Sequence, residues 1–180
     1  MTTWTTNFES PYGPYLLMSD GTSLIGLHSD RDKHRPPAQP DWVEDDDKLP
    51  FPRTKAQLQA YFGGALKMFD LPLALRGTPF QVKVWRELCN IGYAETISYA
   101  ELARRIGRPT ASRAVGHSNG RNPISIIVPC HRVIGADNSL TGYAGGLDRK
   151  RALLAHEAGN AGQAAPGRAA GEGQLGFVYS

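Results

Sequence analysis

The sequence predicts an α/β (α+β) fold: a small N-terminal α/β unit with a short antiparallel sheet, then a mostly helical unit containing a helix-turn-helix. Three observations carry this. Two apolar runs flank the turn signal Ser19-Asp20-Gly21, the signature of a β-hairpin. Two boxes of the Ser/Thr-x-x-Gln/Glu type, at Thr78–Gln81 and Ser98–Glu101, open helices in the second half. Only Arg108-Pro109-Thr110 separates one helical stretch ending at Gly107 from the next beginning at Ala111.

The elements follow in order. Residues 15–28 form the hairpin. Residues 28–52 hold five prolines (36, 37, 40, 50 and 52) and the acidic run Glu44-Asp-Asp-Asp47, which predicts an exposed, mobile loop without regular structure. Leu58, Tyr61 and Phe62 share one face of a helix over Thr54–Leu66, with Gly63-Gly64 near its end. In the second unit Thr78 is the N-cap, Pro79 the first helical position and Gln81 the third. Phe80, Val84, Trp85 and Leu88 then recur at helical spacing. Ser98 caps a helix through Leu102 and Ile106 that stops at Gly107. Ile124–Val128 is apolar and β-branched, a buried extended segment ending at Pro129. Thr141–Gly146 is a tightly turned or flexible loop, and Asp148–Ala158 a last helix stopped by Gly159. The expected organisation is 1–75, 76–158 and a tail, 159–180. Half of the tail's 22 residues are Gly or Ala, and flexibility is expected of it.

Composition bounds the function. Of 180 residues, 41% are hydrophobic and 21% charged, which excludes a collagen-like fibre and a wholly disordered chain. No apolar run approaches the ~18–20 residues that span a bilayer. Met1-Thr-Thr-Trp-Thr-Thr6 lacks the basic and apolar regions of a signal peptide, so a cytoplasmic location and no membrane partner are expected. The net charge of +3 is uneven: residues 1–75 carry 7 basic and 10 acidic side chains, whereas residues 76–157 carry 12 and 6. A basic second half suits a phosphate-bearing partner. Two cysteines, Cys89 and Cys130, make neither a disulfide framework nor a zinc site.

Three groups of residues carry candidate chemistry. In Pro129-Cys130-His131-Arg132 a thiol, a weak nucleophile until a base or cation lowers its pKa, is followed directly by imidazole and guanidinium. Neighbours in an extended segment point opposite ways, so an activated nucleophile and an inert buried cysteine both remain open. In Ala111–Gly120 six of ten residues are Ala, Ser or Gly, with Arg113 the one long cation. Such a helix either approaches DNA closely while reading little sequence, or packs inside a core. The third group is Tyr99, Asn122, His131 and Glu157. Tyr99 follows its Ser98 cap, and Glu157, near a helix C-terminus, opposes the dipole and calls for a local partner.

Pro129-Cys-His-Arg-Val133, preceded by Asn122-Pro-Ile-Ser-Ile-Ile-Val128 and followed by Gly142-Tyr-Ala-Gly-Gly146, resembles the O6-alkylguanine-DNA alkyltransferases, also called methylated-DNA–protein-cysteine methyltransferases. The resemblance runs from about Gly77 to Glu157, through Thr78–Trp85 and Ile97–Glu101. Residues 1–75 match loosely, in the hairpin and Phe69–Leu73. It implies a DNA repair protein that flips O6-alkylguanine out of duplex DNA and transfers the alkyl group irreversibly, once per chain, to Cys130. It also implies that His131 passes the thiol's proton through water to Glu157, that Tyr99 donates toward N3 of the leaving guanine, and that Asn122 orders the surrounding loops. Arg113 would fill the gap left by the flipped nucleotide, on a recognition surface of Thr110, Ala111, Ser112, Ala114 and Gly116. Val133, Tyr143, Ala144 and Gly145 would hold the extruded base. Many relatives bear Ser where Ala144 stands; a contact from the backbone N–H leaves that difference harmless.

The implied partner is double-stranded DNA, bound through the minor groove without sequence specificity by a monomer. No cofactor is implied. Some relatives carry an N-terminal zinc site with cysteine ligands; residues 1–75 contain no cysteine, so no metal is expected. Physical chemistry agrees with the task. A small-residue helix with one arginine wedge suits extruding a base, which costs a few kcal/mol. Two other readings are a helix-turn-helix binding protein without chemistry, which leaves Cys130, His131 and Glu157 unexplained, and a cysteine hydrolase, which would turn over. A thioether is a poor leaving group, so a chain alkylated at Cys130 stays alkylated.

Overall fold

In the computed structural model, which describes residues 1–162, the N-terminal part is a four-stranded sheet in the order β3-β2-β1-β4. Strand β1 (Trp4–Ser10) pairs antiparallel with β2 (Gly13–Ser19), and β2 pairs antiparallel with β3 (Leu24–Ser29). The expected turn closes β2–β3: Asp20 Oδ1 accepts from the Thr22 and Ser23 amides, and Gly21 takes a φ of +103° that favours glycine. Two strands of this sheet go beyond the sequence expectation. β1 carries few large apolar residues and exists through its pairing. β4 (Val43–Glu44) runs parallel to β1 inside the proline- and acid-rich stretch expected to lack regular structure. Asp32 in the same stretch is buried, 2.8 Å from His28 Nδ1, rather than exposed.

Helix α1 spans Phe51–Phe62, not 54–66. Pro52 suits its first turn, and Gly63 and Gly64 end it. Helix α2 (Pro79–Leu88) starts as expected, both halves of the Thr78/Gln81 capping box being present. Helix α3 (Tyr99–Arg105) is capped by Ser98, but only half a box forms. Glu101 turns to Arg104 and Arg105, whose charges attract it more than a backbone N–H does. Helix α4 (Ser112–Gly120) follows the short turn and packs on α2 and α3, completing the helix-turn-helix.

Ile124–Val128 is buried but not extended. Asn122 Nδ2 donates to the Val128 and Ile124 carbonyls while its Oδ1 accepts from the Ile124 amide, and Ile126 takes a φ of +70°. The segment is a staple-held turn. A single 3-10 turn, Cys130–Arg132, follows and runs into β6 (Val133–Ile134), which pairs parallel with β5 (Ile97–Ser98). Helix α5 (Leu147–Asn160) passes through Gly159, which does not stop it. The rest of the tail, from residue 163, lies outside the described residues.

One apolar core joins the two parts, running from Leu17, Leu24 and Leu27 through Leu73 to Val84, Trp85, Val115 and Val128. Strand β3 is the seam: Leu24 bridges to Leu73 and Leu27 to Ile124, so the sheet edge grips the segment leading to Cys130. No described helix is long and apolar enough to cross a membrane.

Candidate active site

Cys130 opens the 3-10 turn, and this local geometry, rather than an extended segment, sets the orientations of His131 and Arg132. Both reach Glu157 on α5. His131 Nε2 lies 2.7 Å from Glu157 Oε1, and Arg132 donates through Nε and Nη2 at 2.9 Å each while Nη1 donates to the Ile91 carbonyl. Tyr61 Oη and the Ala94 amide also donate to the same carboxylate, at 2.8 and 3.1 Å. Glu157 and His131 are fully buried.

Electrostatics fix the protonation states. Burial alone would raise the Glu157 carboxyl, but hydrogen bonds and charge from His131 and Arg132 overcome it and hold the group well below the usual carboxylate range. An ionised carboxylate only accepts, so the imidazole must place its proton on Nε2. Burial also pushes His131 down, keeping the ring neutral. Nδ1 is therefore a bare acceptor. It is buried and has no partner among the described residues.

The Cys130 thiol is 5% exposed, and burial pushes it up to about 11 despite the Asn122 hydrogen bond and the Lys150 charge. The adjacent imidazole and guanidinium do not make a resting thiolate. The guanidinium is committed to Glu157, and the imidazole is neutral.

The remaining predicted residues gather around this turn. Asn122 staples the segment before Cys130, as described above. Val133 is buried; its carbonyl accepts from Lys150 Nζ at 2.6 Å and keeps a second lone pair. Tyr143 and Gly145 are buried and Ala144 half-buried, in a loop whose Thr141 carbonyl accepts from both Tyr99 Oη (2.9 Å) and Lys150 Nζ (2.8 Å). Tyr99 thus points at the loop, and a Cβ on Gly116 of α4 would lie only 3.5 Å from its ring. On the far side of α4, Thr110, Ala111, Arg113 and Ala114 line a shallow recess of about 750 Å3 shared with Thr78 and Phe80. Arg113 and Ala114 are exposed and Ser112 half-buried. Helix α4 therefore separates an open surface from Tyr99.

Four site residues were missed by the sequence reading of roles: Arg132, Tyr61, Lys150 and Asn119, whose Nδ2 donates to the Cys130 carbonyl at 3.3 Å. Arg132 had a signal, its place beside His131. Lys150 had none: it sits in Arg149-Lys150-Arg151, which resembles a solvated charged face, yet it is fully buried and burial lowers it to about 8.

Two family models match the chain: "6-O-methylguanine DNA methyltransferase, ribonuclease-like domain" over residues 4–75, and "6-O-methylguanine DNA methyltransferase, DNA binding domain" over residues 79–159. A methylated-DNA–protein-cysteine methyltransferase of Methanosarcina barkeri is 52% identical over 152 residues, covering 84% of this chain and 95% of the relative. A crystal structure of Mycobacterium tuberculosis OGT in complex with DNA is similar at 48% identity with a TM-score of 0.80, covering 89% of this chain and 94% of the other. The O6-methylguanine-DNA methyltransferase of Pyrococcus kodakaraensis is 25% identical with a TM-score of 0.57, over 86% and 98%. The chain belongs to the 6-O-methylguanine DNA methyltransferase family.

Proposed function

We propose that this chain repairs O6-alkylguanine in double-stranded DNA by flipping the damaged base out of the duplex and moving its alkyl group, once and irreversibly, onto Cys130. The observation that carries the reading is the Cys130–His131–Glu157 arrangement, with a buried imidazole whose bare Nδ1 follows from the ionised carboxylate on its other nitrogen.

The thiol's proton passes through a water to His131 Nδ1, and Glu157 stabilises the imidazolium that results. The sulfur–carbon bond forms as the O6–carbon bond breaks, and the electron pair returns to guanine. Tyr99 donates toward N3, so the base leaves neutral; that proton offsets the one lost by the thiol. Because Tyr99 Oη is engaged with Thr141, the entering base takes over a hydrogen bond already aimed at the loop.

Helix α4 supplies the DNA contact. Its small residues allow close approach in the minor groove, Arg113 fills the vacated stack, and the absence of base-reading side chains leaves binding independent of sequence. The 12 basic against 6 acidic side chains of residues 76–157 add salt-sensitive phosphate attraction. A division of labour near residue 75 is supported by the two family models, which end and begin on either side of it.

Intact mass and peptide mapping after incubation with an O6-methylguanine duplex test the reading. One methyl per chain, on Cys130, is expected. A methyl on Cys89, or more than one lesion repaired per chain, would overturn it.

A further inference from the structure

Behind the Cys130 turn lies a cleft of about 320 Å3 that the chemistry above does not use. Its apolar walls are Met68, Phe69, Ile91, Ile126, Ile127 and Pro129, and Lys67 and Tyr93 also line it. Met68 is 44% exposed, one of few large apolar side chains that are. The Tyr93 hydroxyl is buried and has no partner among the described residues. A volume at the lower end of the ~300–1,000 Å3 range of ligand pockets admits one or two large side chains.

The course of the chain says what reaches it. Past α5, the Ala161 carbonyl accepts from Lys67 Nζ at 3.1 Å, so the backbone leaves the described residues at a side chain of the cleft itself. Residues 163–180 follow, beyond the family match, which ends at residue 159. Within them Gln163–Gln174 is almost wholly small or polar, and then comes Leu175-Gly-Phe-Val-Tyr179, the one run of large apolar residues in the tail. Twelve intervening residues span up to about 40 Å when extended, ample for a target beside their starting point. Tethering also gives the segment an effective concentration on the order of millimolar.

We propose that Leu175–Tyr179 docks in this cleft of its own chain, seating its apolar side chains against Met68, Phe69 and Ile126. Docked there, the segment braces from behind the wall formed by Pro129 and Arg132, on either side of Cys130 and His131.

The test uses full-length protein carrying Cys130→Ser, which leaves Cys89, also on the cleft lining, as the one thiol. Two readouts apply: the rate at which dithiodipyridine modifies Cys89, and the methyl resonance of Met68 in methionine-labelled protein. Truncation after Gly162, or Phe177→Ser with Val178→Ser, should speed Cys89 modification by about tenfold or more, as losing an occupant bound about nine-tenths of the time requires. Both should shift Met68 while leaving Met18 in place, and a peptide of residues 172–180 should restore the slow rate. An unchanged Cys89 rate and Met68 resonance on truncation overturn the proposal. So does protection that depends on protein concentration, which would mean that a second copy fills the cleft.

Discussion

Glu157→Gln keeps the shape of the side chain and removes its charge. Five hydrogen bonds converge on that carboxylate, from His131, Tyr61, Ala94 and twice from Arg132. The variant leaves the Arg132 guanidinium a buried cation without its counter-charge, which should cost about 3–5 kcal/mol in urea unfolding. It also weakens the imidazolium that the proposed relay forms on His131. A charge-assisted hydrogen bond contributes about 1.5–3 kcal/mol, so single-turnover repair should slow by about 10–150-fold. The pH profile carries the mechanistic content. On the proposed relay His131 is the internal base while Glu157 is in place; without Glu157 the thiol would depend on solvent, and the rate should keep climbing with pH toward the thiol's own value of about 11. Tyr61→Phe is the control for stability alone: it removes one neutral donor, costs about 0.5–1.5 kcal/mol and should leave the pH profile in place. A folded Glu157→Gln protein that repairs within about twofold of wild type, with an unchanged profile, would refute the relay and leave Glu157 a structural anchor for Arg132.

Arg113→Ala should slow repair of duplex lesions by about 10–100-fold, a loss of ~1.4–2.8 kcal/mol from the flipped state, while its rate with free benzylguanine stays at the wild-type level. Equal slowing on both substrates would move Arg113 from wedge to pocket support, and a mild defect rescued by low salt would reduce it to a phosphate contact. Tyr99→Phe should behave oppositely, slowing both substrates by about tenfold or more, because the proposed role of its hydroxyl is at the leaving base rather than the duplex. Cys130→Ala bears on stability. The folded thiol titrates near 11 against ~8.5 in an unfolded chain, so its contribution is fully present below about 8.5 and lost as pH rises toward 11. Urea midpoints of the wild type should therefore fall more steeply across that window than those of the variant; parallel curves would contradict the burial effect.

What the sequence made legible was local. The Asp20-Gly21 turn and the Thr78 box are short-range devices whose chemistry is complete within four residues, and both form. Pairings between distant segments were not legible. Nothing in the residues of β1 or β4 shows that they pair with each other across about forty positions. Ile124–Val128 reads as a strand by side chain alone, yet the Asn122 amide, a side chain outside the run, folds it into a turn. The site divides the same way. Cys130, His131 and Arg132 are adjacent in sequence, and the family motif pointed to Glu157. The fate of the Arg132 charge and the burial of Lys150 follow from which face of α5 meets the turn, and a run of three basic residues conceals that choice.

The resting chemistry of Cys130 now has a physical explanation. If Cys130 acts once per chain, as proposed, it is lost whenever a stray electrophile reaches it as a thiolate, and exposure plus a lowered pKa would invite that loss. Here the thiol is buried and its pKa raised, while the His131 imidazole is neutral and bonded to a carboxylate that four other hydrogen bonds hold in place. Proton transfer is therefore uphill in the free protein. On the function proposed above, an extruded base would supply what is missing, an acceptor carbon at the sulfur whose irreversible reaction draws the transfer forward. On that proposed function, selectivity for a base presented in the pocket follows, because the burial that shields the thiol withholds the thiolate until the substrate is seated.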